Sequence, residues 1–209
     1  MNPMSILALL LLAAATAPAV DSVDLSTLRT ISAATPEAVQ IRLAESAAPA
    51  EVSSKASVYV LRAHGYELAR KGTNAFTCFV DRTRLDTLEP ECMDAEGFAT
   101  TFQTRLFAEQ QRAAGVAEEK IKADIEDGYR TGRFIAPRRP GLIYMLSDYN
   151  IIFEERSQKL MHVSPHLMFY APGLEEKDTG SGPGAPILTD PGKPYNLMIV
   201  VPRSASHTH

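Results

Sequence analysis

Cysteine is scarce in this sequence, which contains only Cys78 and Cys92 among its 209 residues. Two thiols do not make a zinc site, because structural zinc takes four ligands and no second cysteine pair is present. The two residues also lie too far apart for the Cys-x-x-Cys spacing of redox-active pairs. The sequence therefore excludes a cysteine zinc centre and gives no indication of a redox centre.

Positive charge is also in short supply. Lys and Arg total 21 against 25 Asp and Glu, a net charge of −4. Without a positive field over the whole molecule, we expect no binding to nucleic acid and no attraction to an anionic membrane. A hydrophobic content of 45% excludes wholesale disorder. The composition fits a single globular domain that recognises any partner locally.

The first nineteen residues are predicted to be a signal peptide. Residues 6–15 are an unbroken run of apolar and small residues, and Ala17-Pro18-Ala19 supplies small residues before a cut after Ala19. A run of about ten residues is too short to span a bilayer of about 30 Å. This favours export to the periplasm or the medium over a retained anchor, although no Lys or Arg precedes the run. We therefore expect no stable transmembrane anchor after cleavage.

Export changes what the two cysteines predict. In an oxidising compartment a lone pair is expected to bond, and Cys78 and Cys92 would close a loop of about fifteen residues, which stabilises a fold by about 3 kcal/mol. Free thiols are the alternative. The predicted organisation is a signal peptide at 1–19, an Ala/Ser-rich N-terminal arm or helix at 20–56, a single α+β domain at 57–201 and a flexible tail at 202–209.

Residue patterns divide the chain into strands and helices. Runs rich in β-branched and aromatic residues predict strands at 57–61, 66–70, 76–80, 142–146, 151–153, 160–163, 166–170 and 197–201. Apolar residues at helical spacing predict helices at about 35–47, 95–114 and 116–131. Gly- and Pro-rich residues 172–194 are predicted to form a long surface loop.

The pairing of these elements is predicted from the turns between them. Strands 66–70 and 76–80 are expected to form a hairpin, as are 142–146 and 151–153, and Cys92 is expected in the loop after its strand. The short join between the last two helices predicts an antiparallel helical hairpin, with Glu118–Lys122 and Glu126–Arg130 as ion pairs. The resulting fold is α+β: an antiparallel sheet of five or six strands, with the helical hairpin on one face and one disulfide.

The histidines are the candidate site residues. His64 lies between two predicted strands, His166 opens another, and His162 lies four residues before it. If the sheet brings them together, His64, His162 and His166 could bind zinc or copper. His64 or His166 with Glu67 or Asp81 could instead act in general base catalysis. The alternative, in which each histidine only hydrogen-bonds the backbone, is favoured because the spacing matches no established motif. No cofactor is therefore predicted.

Two charged clusters have a functional and a structural interpretation. A basic cluster could contact phosphate or an acidic polymer, or could be a solvated connection; it comprises Arg130, Arg133, Arg138 and Arg139. An acidic cluster could supply calcium ligands; it comprises Glu89, Glu91, Asp94 and Glu96. Because the acidic cluster lacks the alternation and turn glycine of a calcium loop, we predict a solvated face. His207 and His209 are expected in a disordered end.

Three stretches resemble an uncharacterised family of small exported bacterial proteins. They are His64-Gly65-Tyr66, then Asn74 to Val80 with the letters NAFTCFV, and Pro165 to Pro172 with the letters PHLMFYAP. The resemblance implies export and a single domain, and no activity or site residue comes with it. We predict an exported protein whose non-catalytic domain binds a small ligand or an envelope component. A metal- or histidine-assisted hydrolase around His64 and His166 is the alternative.

Overall fold

The computed structural model describes residues 23–154, 157–180, 182 and 184–201. The predicted signal peptide and the tail with His207 and His209 lie outside the described residues. Within them, a 3-10 turn at Leu25–Thr27 is followed by six α-helices: α1 (Glu37–Glu45), α2 (Ala50–Ser53), α3 (Ala95–Ala99), α4 (Thr101–Ala113), α5 (Glu118–Thr131) and α6 (Glu176–Thr179). Each of these helices is too short or too polar to traverse a bilayer.

Ten strands form two sheets in the described part of the chain. They are β1 (Ser57–Arg62), β2 (Gly65–Arg70), β3 (Thr77–Asp81), β4 (Glu89–Met93), β5 (Leu142–Met145), β6 (Ile151–Glu154), β7 (Lys159–His162), β8 (His166–Tyr170), β9 (Ile187–Leu188) and β10 (Leu197–Val200). The main sheet has the order β2-β1-β3-β4-β5-β8-β10-β9, and β6-β7 is a separate hairpin. Only β1 and β3 pair in parallel. The predicted α+β class is confirmed, with eight strands in the main sheet instead of five or six.

Two predicted hairpins are wrong. β2 pairs with β1, through a turn in which Arg62 lies opposite Gly65, and β3 returns on the other side of β1. The turn is tight because Gly65 adopts a φ of 118°, which glycine tolerates. β5 pairs with β4 and β8, so both of its edges are occupied and β6 pairs with β7 instead.

Helices cover both faces of the sheet. Side chains of a strand alternate between faces, so Phe79 and Cys78 of β3 point in opposite directions. Phe79 packs against Phe102 of α4, with ring centroids 4.7 Å apart. On the other face, the Sγ atom of Cys92 lies 3.7 Å from the carbonyl oxygen of Ala44 in α1. Of the two alternatives for residues 20–56, the described part adopts the helix, and α1 forms a layer of the core.

The predicted helix at 95–114 is divided at Thr100, whose φ of −124° and ψ of −80° are not helical. Asp94 starts α3 by accepting a hydrogen bond from the Gly97 backbone N–H at 3.0 Å. α4 and α5 then form the predicted antiparallel helical hairpin on one face of the sheet, and α5 ends at Gly132, which has a φ of 79°. Residues 172–194 are not only loop, since they include α6 and β9.

Candidate functional site

The structure does not bring His64 and His166 together. His64 is exposed in the turn between β1 and β2, whereas His166 begins β8. Both residues lie at the same end of the strands of the main sheet, but β3, β4 and β5 separate β1 from β8. Four strand spacings of about 4.8 Å place them about 19 Å apart. The two imidazoles therefore do not share a ligand or a proton.

The other candidates for a histidine site are also dispersed. His166 is 5% exposed, and its Nδ1 hydrogen-bonds the carbonyl oxygen of Ser164 at 2.8 Å. His162 is exposed on β7, and Glu67 is exposed on the edge strand β2. In the described residues, no group of three or more His, Cys, Asp or Glu side chains is arranged to hold a metal ion.

The predicted disulfide between Cys78 and Cys92 is confirmed. Cys92 lies on β4 directly opposite Cys78 on β3, not in a loop. Both residues are fully buried, and their Cα atoms are 4.0 Å apart. The bridge therefore joins two neighbouring strands on the face that α1 covers.

The same two strands carry a buried acidic layer on their other face. Asp81 lies opposite Glu89, and Glu91 lies opposite Phe79, so the three carboxyl groups point towards α4. Asp81, Glu89 and Glu91 are 1%, 5% and 2% exposed. The predicted solvated acidic face is therefore wrong for Glu89 and Glu91, because strand alternation turns both into the core.

A single arginine of α4 faces this acidic layer. The Nε atom of Arg105 lies 2.6 Å from Asp81 Oδ2 as an ion pair, although the two atoms are not aligned for a hydrogen bond. Glu89 Oε1 accepts from the backbone N–H and the hydroxyl of Thr83. Glu91 Oε2 is buried, and it has no hydrogen-bond partner among the described residues. Three carboxyl groups thus face one guanidinium.

Burial and the excess of negative charge shift the pKa values of the groups in this layer. Burial raises the pKa of Glu91 well above its ordinary value, and the neighbouring carboxylates of Asp81 and Glu89 raise it further against the opposing effect of Arg105. Burial and Asp81 also raise the pKa of Glu89. For Arg105, burial would lower the pKa, but the surrounding carboxylates outweigh it and raise the pKa. Both shifts favour the protonated acids over the carboxylates in this layer.

A second buried network ties the helices to the loop between β3 and β4. Glu109 of α4 is 2% exposed and accepts from Arg82 at 2.5 Å and from Arg112 at 2.8 Å. Arg112 also donates to both carboxylate oxygens of Glu118, at 2.7 and 3.0 Å. Glu118 therefore pairs with Arg112 and not with Lys122, the partner predicted from helical spacing. This network stabilises the fold and has no free group for a ligand.

A surface recess lies between α5 and the turn that precedes β10. We call it the tyrosine groove. It has a volume of about 500 Å³ and is lined by Ala123, Glu126, Asp127, Tyr129, Arg130, Lys193, Pro194 and Tyr195. The rings of Tyr129 and Tyr195 stack across it, with centroids 4.5 Å apart and planes 26° apart. Stacked rings give the groove a flat apolar surface between charged walls.

The wall formed by residues 193–195 is held rigidly. Asn196 is fully buried, and its side-chain amide donates to the carbonyls of Ala171 and Leu174 at 3.0 and 3.2 Å. Its Oδ1 accepts from the Asp190 backbone N–H at 3.0 Å. The Lys193 carbonyl in turn accepts from the Gly173 N–H at 2.9 Å. A rigid wall lowers the entropic cost of binding a ligand.

Tyr129 connects the tyrosine groove to the buried acidic layer. Burial raises the pKa of Tyr129, while the nearby positive charge of Arg105 and a hydrogen bond with Thr104 act in the opposite direction. Burial and the carboxylates of Asp190 and Glu126 raise the pKa of Tyr195 to about 12. Both phenols are therefore protonated at neutral pH and are available as hydrogen-bonding groups.

A second recess of about 450 Å³ lies beside the loop between β3 and β4 and is lined by Arg84, Leu85, Asp86, Glu118 and Glu119. Most of its charges already have partners. Arg84 pairs with Asp86 at 3.1 Å and lies over the Phe153 ring, and Glu118 pairs with Arg112. The second recess therefore offers a ligand fewer free groups than the tyrosine groove.

The arginines of the predicted basic cluster make different contacts in the fold. Arg130 pairs with Asp127, and Arg133 lies over the ring of Phe107. The backbone N–H groups of Arg138 and Arg139 both donate to Glu96. The cluster is therefore divided among separate structural contacts.

Sequence reasoning missed the tyrosine groove, because its two rings come from segments far apart in the chain and no local motif marks either. Comparisons with models of protein families, with curated proteins and with solved structures all yield no match to this chain.

Proposed function

We propose that this chain is an exported, disulfide-bonded protein that binds a small ligand in the tyrosine groove. The observation that carries the proposal is the Tyr129–Tyr195 stack inside an open recess of about 500 Å³. Recesses of this size, with apolar surfaces and a few polar groups, are the usual sites for small ligands.

Three properties support binding at this place. The groove combines aromatic and charged side chains, its 193–195 wall is fixed by Asn196, and two of its charged side chains, Glu126 and Lys193, form no ion pair within 4.0 Å with any described residue. The alternative of a metal- or histidine-assisted hydrolase has no comparable support, since His64 and His166 lie on distant strands. Export is supported by the disulfide, because such bonds persist in oxidising compartments.

The binding proposal is tested with a fragment library and ligand-observed NMR. Tyr195→Ala removes one ring of the stack, and Tyr144→Ala is the matched control, since Tyr144 is also partly buried and also contacts a second ring, that of Phe76. We expect hits that bind the unmodified chain and the Tyr144→Ala variant but lose binding to Tyr195→Ala. Hits that bind all three proteins equally would place the site elsewhere.

Export is tested by expressing the full chain in a secreting bacterium and sequencing the amino terminus of the product. We expect material outside the cytosol that begins at Val20 and has no free thiol. Cytosolic protein that retains Met1 and two reduced cysteines would contradict export and leave the groove untouched. Membership of the exported family that the sequence resembles stays a prediction.

A further inference from the structure

Among the described residues, only some of the charged side chains that line the tyrosine groove form ion pairs. Asp127 and Arg130, three positions apart on α5, form an ion pair. Arg130 therefore contacts Asp127 and not Glu126, the partner predicted from helical spacing. Among the described residues, no ion pair within 4.0 Å involves either Glu126 or Lys193. One carboxylate on the helical wall and one ammonium on the opposite wall thus remain open to a ligand.

These two groups have opposite signs, and both are exposed. A ligand with one negative charge would be attracted by Lys193 and repelled by Glu126. A cation would be attracted by Glu126 and repelled by Lys193. A ligand that carries both charges, separated along its length, matches both walls. Between them, Pro194 and Tyr195 present an apolar surface.

We propose that the tyrosine groove binds a short peptide with free termini, its amino group at Glu126 and its carboxylate at Lys193. This inference rests on the proposed function of the groove. A ligand whose two charges are separated along its length can place one charge at each wall of the groove. Two or three residues of extended chain span about 7–10 Å, and an apolar side chain of the peptide packs against Pro194 and Tyr195.

The test uses four forms of one tripeptide, Ala-Phe-Ala: with free termini, N-acetylated, C-amidated, and modified at both ends. Binding is followed by NMR or by the fluorescence of the tyrosines, which is observable because the chain has no tryptophan. We expect the free form to bind most tightly. Each modification removes one exposed ion pair and should weaken binding by about twofold to fivefold.

Charge reversal assigns each end of the peptide. Glu126→Lys should abolish the preference for a free amino terminus, and Lys193→Glu the preference for a free carboxylate. The matched controls Glu67→Lys and Lys71→Glu alter exposed charges near β2 and should leave both preferences intact. Each charge reversal should abolish one preference and leave the other. A variant that had lost its fold would show neither preference, so unfolding would be recognised.

The outcomes separate the peptide inference from the proposed function. Equal affinity for all four forms, with binding still lost in Tyr195→Ala, would overturn the peptide inference and leave the groove as a ligand site. Failure of every form to bind, while other fragments bind in a Tyr195-dependent manner, would do the same. Peptide binding that survives Tyr195→Ala would contradict the site itself.

Discussion

The ring of Phe134 packs directly on the backbone of α5 at Gly128. A Cβ atom at Gly128 would lie 2.3 Å from Phe134 Cδ2, and the Phe134 N–H donates to the Gly128 carbonyl at 3.0 Å. Phe134 also contacts Tyr129, with ring centroids 6.0 Å apart. The position of Tyr129 in the tyrosine groove therefore depends on the absence of a side chain at residue 128.

Gly128→Ala should destabilise the protein although alanine is the better helix former. Alanine gains about 1 kcal/mol in a helix interior, but forcing a methyl group into a packed ring costs about 1–3 kcal/mol. We expect a net loss of up to about 2 kcal/mol, measured by urea unfolding. In a Phe134→Ala background the same substitution should become stabilising, because the clash is gone. Stabilisation by Gly128→Ala in the unmodified chain would contradict the packing.

Glu109→Ala should be among the most destabilising substitutions in α4. It leaves the guanidinium groups of Arg82 and Arg112 without their shared buried partner, and breaking a buried ion pair costs about 3–5 kcal/mol. Glu126→Ala, at an exposed position on α5, is the control and should change stability by less than about 0.5 kcal/mol. Equal effects in chemical denaturation would show that the Glu109 network contributes little.

Glu91→Gln should stabilise the protein increasingly as pH rises. The raised pKa means that folded Glu91 holds its proton where the unfolded chain has lost it, so its contribution to stability falls as pH rises from about 4.5 towards the folded-state pKa. Glutamine does not titrate, and it matches the shape of the protonated acid. We expect similar stability near pH 4 and an advantage for glutamine at pH 7, growing by up to about 1.4 kcal/mol per pH unit.

The measurement is the free energy of unfolding of both proteins at several pH values. The groups that face Glu91 are Asp81, Glu89 and Arg105, and they are unchanged in the variant. A difference in stability that does not vary with pH would mean that Glu91 is ionised in the folded protein at pH 7.

Replacing both cysteines by alanine should lower stability by about 3 kcal/mol, because the bridge joins two residues that are 14 positions apart and so closes a loop in the unfolded chain. Alanine is preferred to serine here, since both positions are fully buried and a hydroxyl would lack a partner. The measurement is the denaturation midpoint of the oxidised chain against the double variant. In the folded protein, both sulfurs should also resist reductant until denaturant is added. Equal midpoints would assign the bridge no stabilising role.

The positions of eight of the ten strands could be predicted from sequence, but β4 and β9 were expected as loop, and the pairing of the strands could not be predicted. Runs such as 166–170 alternate in burial as a strand with one core face requires, and β8 has these bounds. The pairing of β1 with both β2 and β3 depends on contacts across the sheet, and the turn residues 71–74 gave a misleading local cue. Pairing was decided by the burial of whole strand faces, which local sequence does not encode.

The charged residues show the same limit. Glu89 and Glu91 appear in sequence as part of an acidic, solvated run, because charge usually indicates exposure. In the fold, Arg105, distant in sequence, compensates part of their charge. Tyr195 likewise becomes a candidate binding residue only when the turn before β10 reaches Tyr129. Both features arise from long-range contacts.

The placement of β10 has a consequence for the order of assembly. β10 lies inside the main sheet, between β8 and β9, and its residue Leu197 pairs with Tyr170. During synthesis, β8 and β9 lack a shared neighbour until residues 197–200 have been made. A nascent chain shorter than this leaves β8 as an open sheet edge and the Tyr195 wall unanchored, so a holding chaperone would find its binding surface on β8 during that interval.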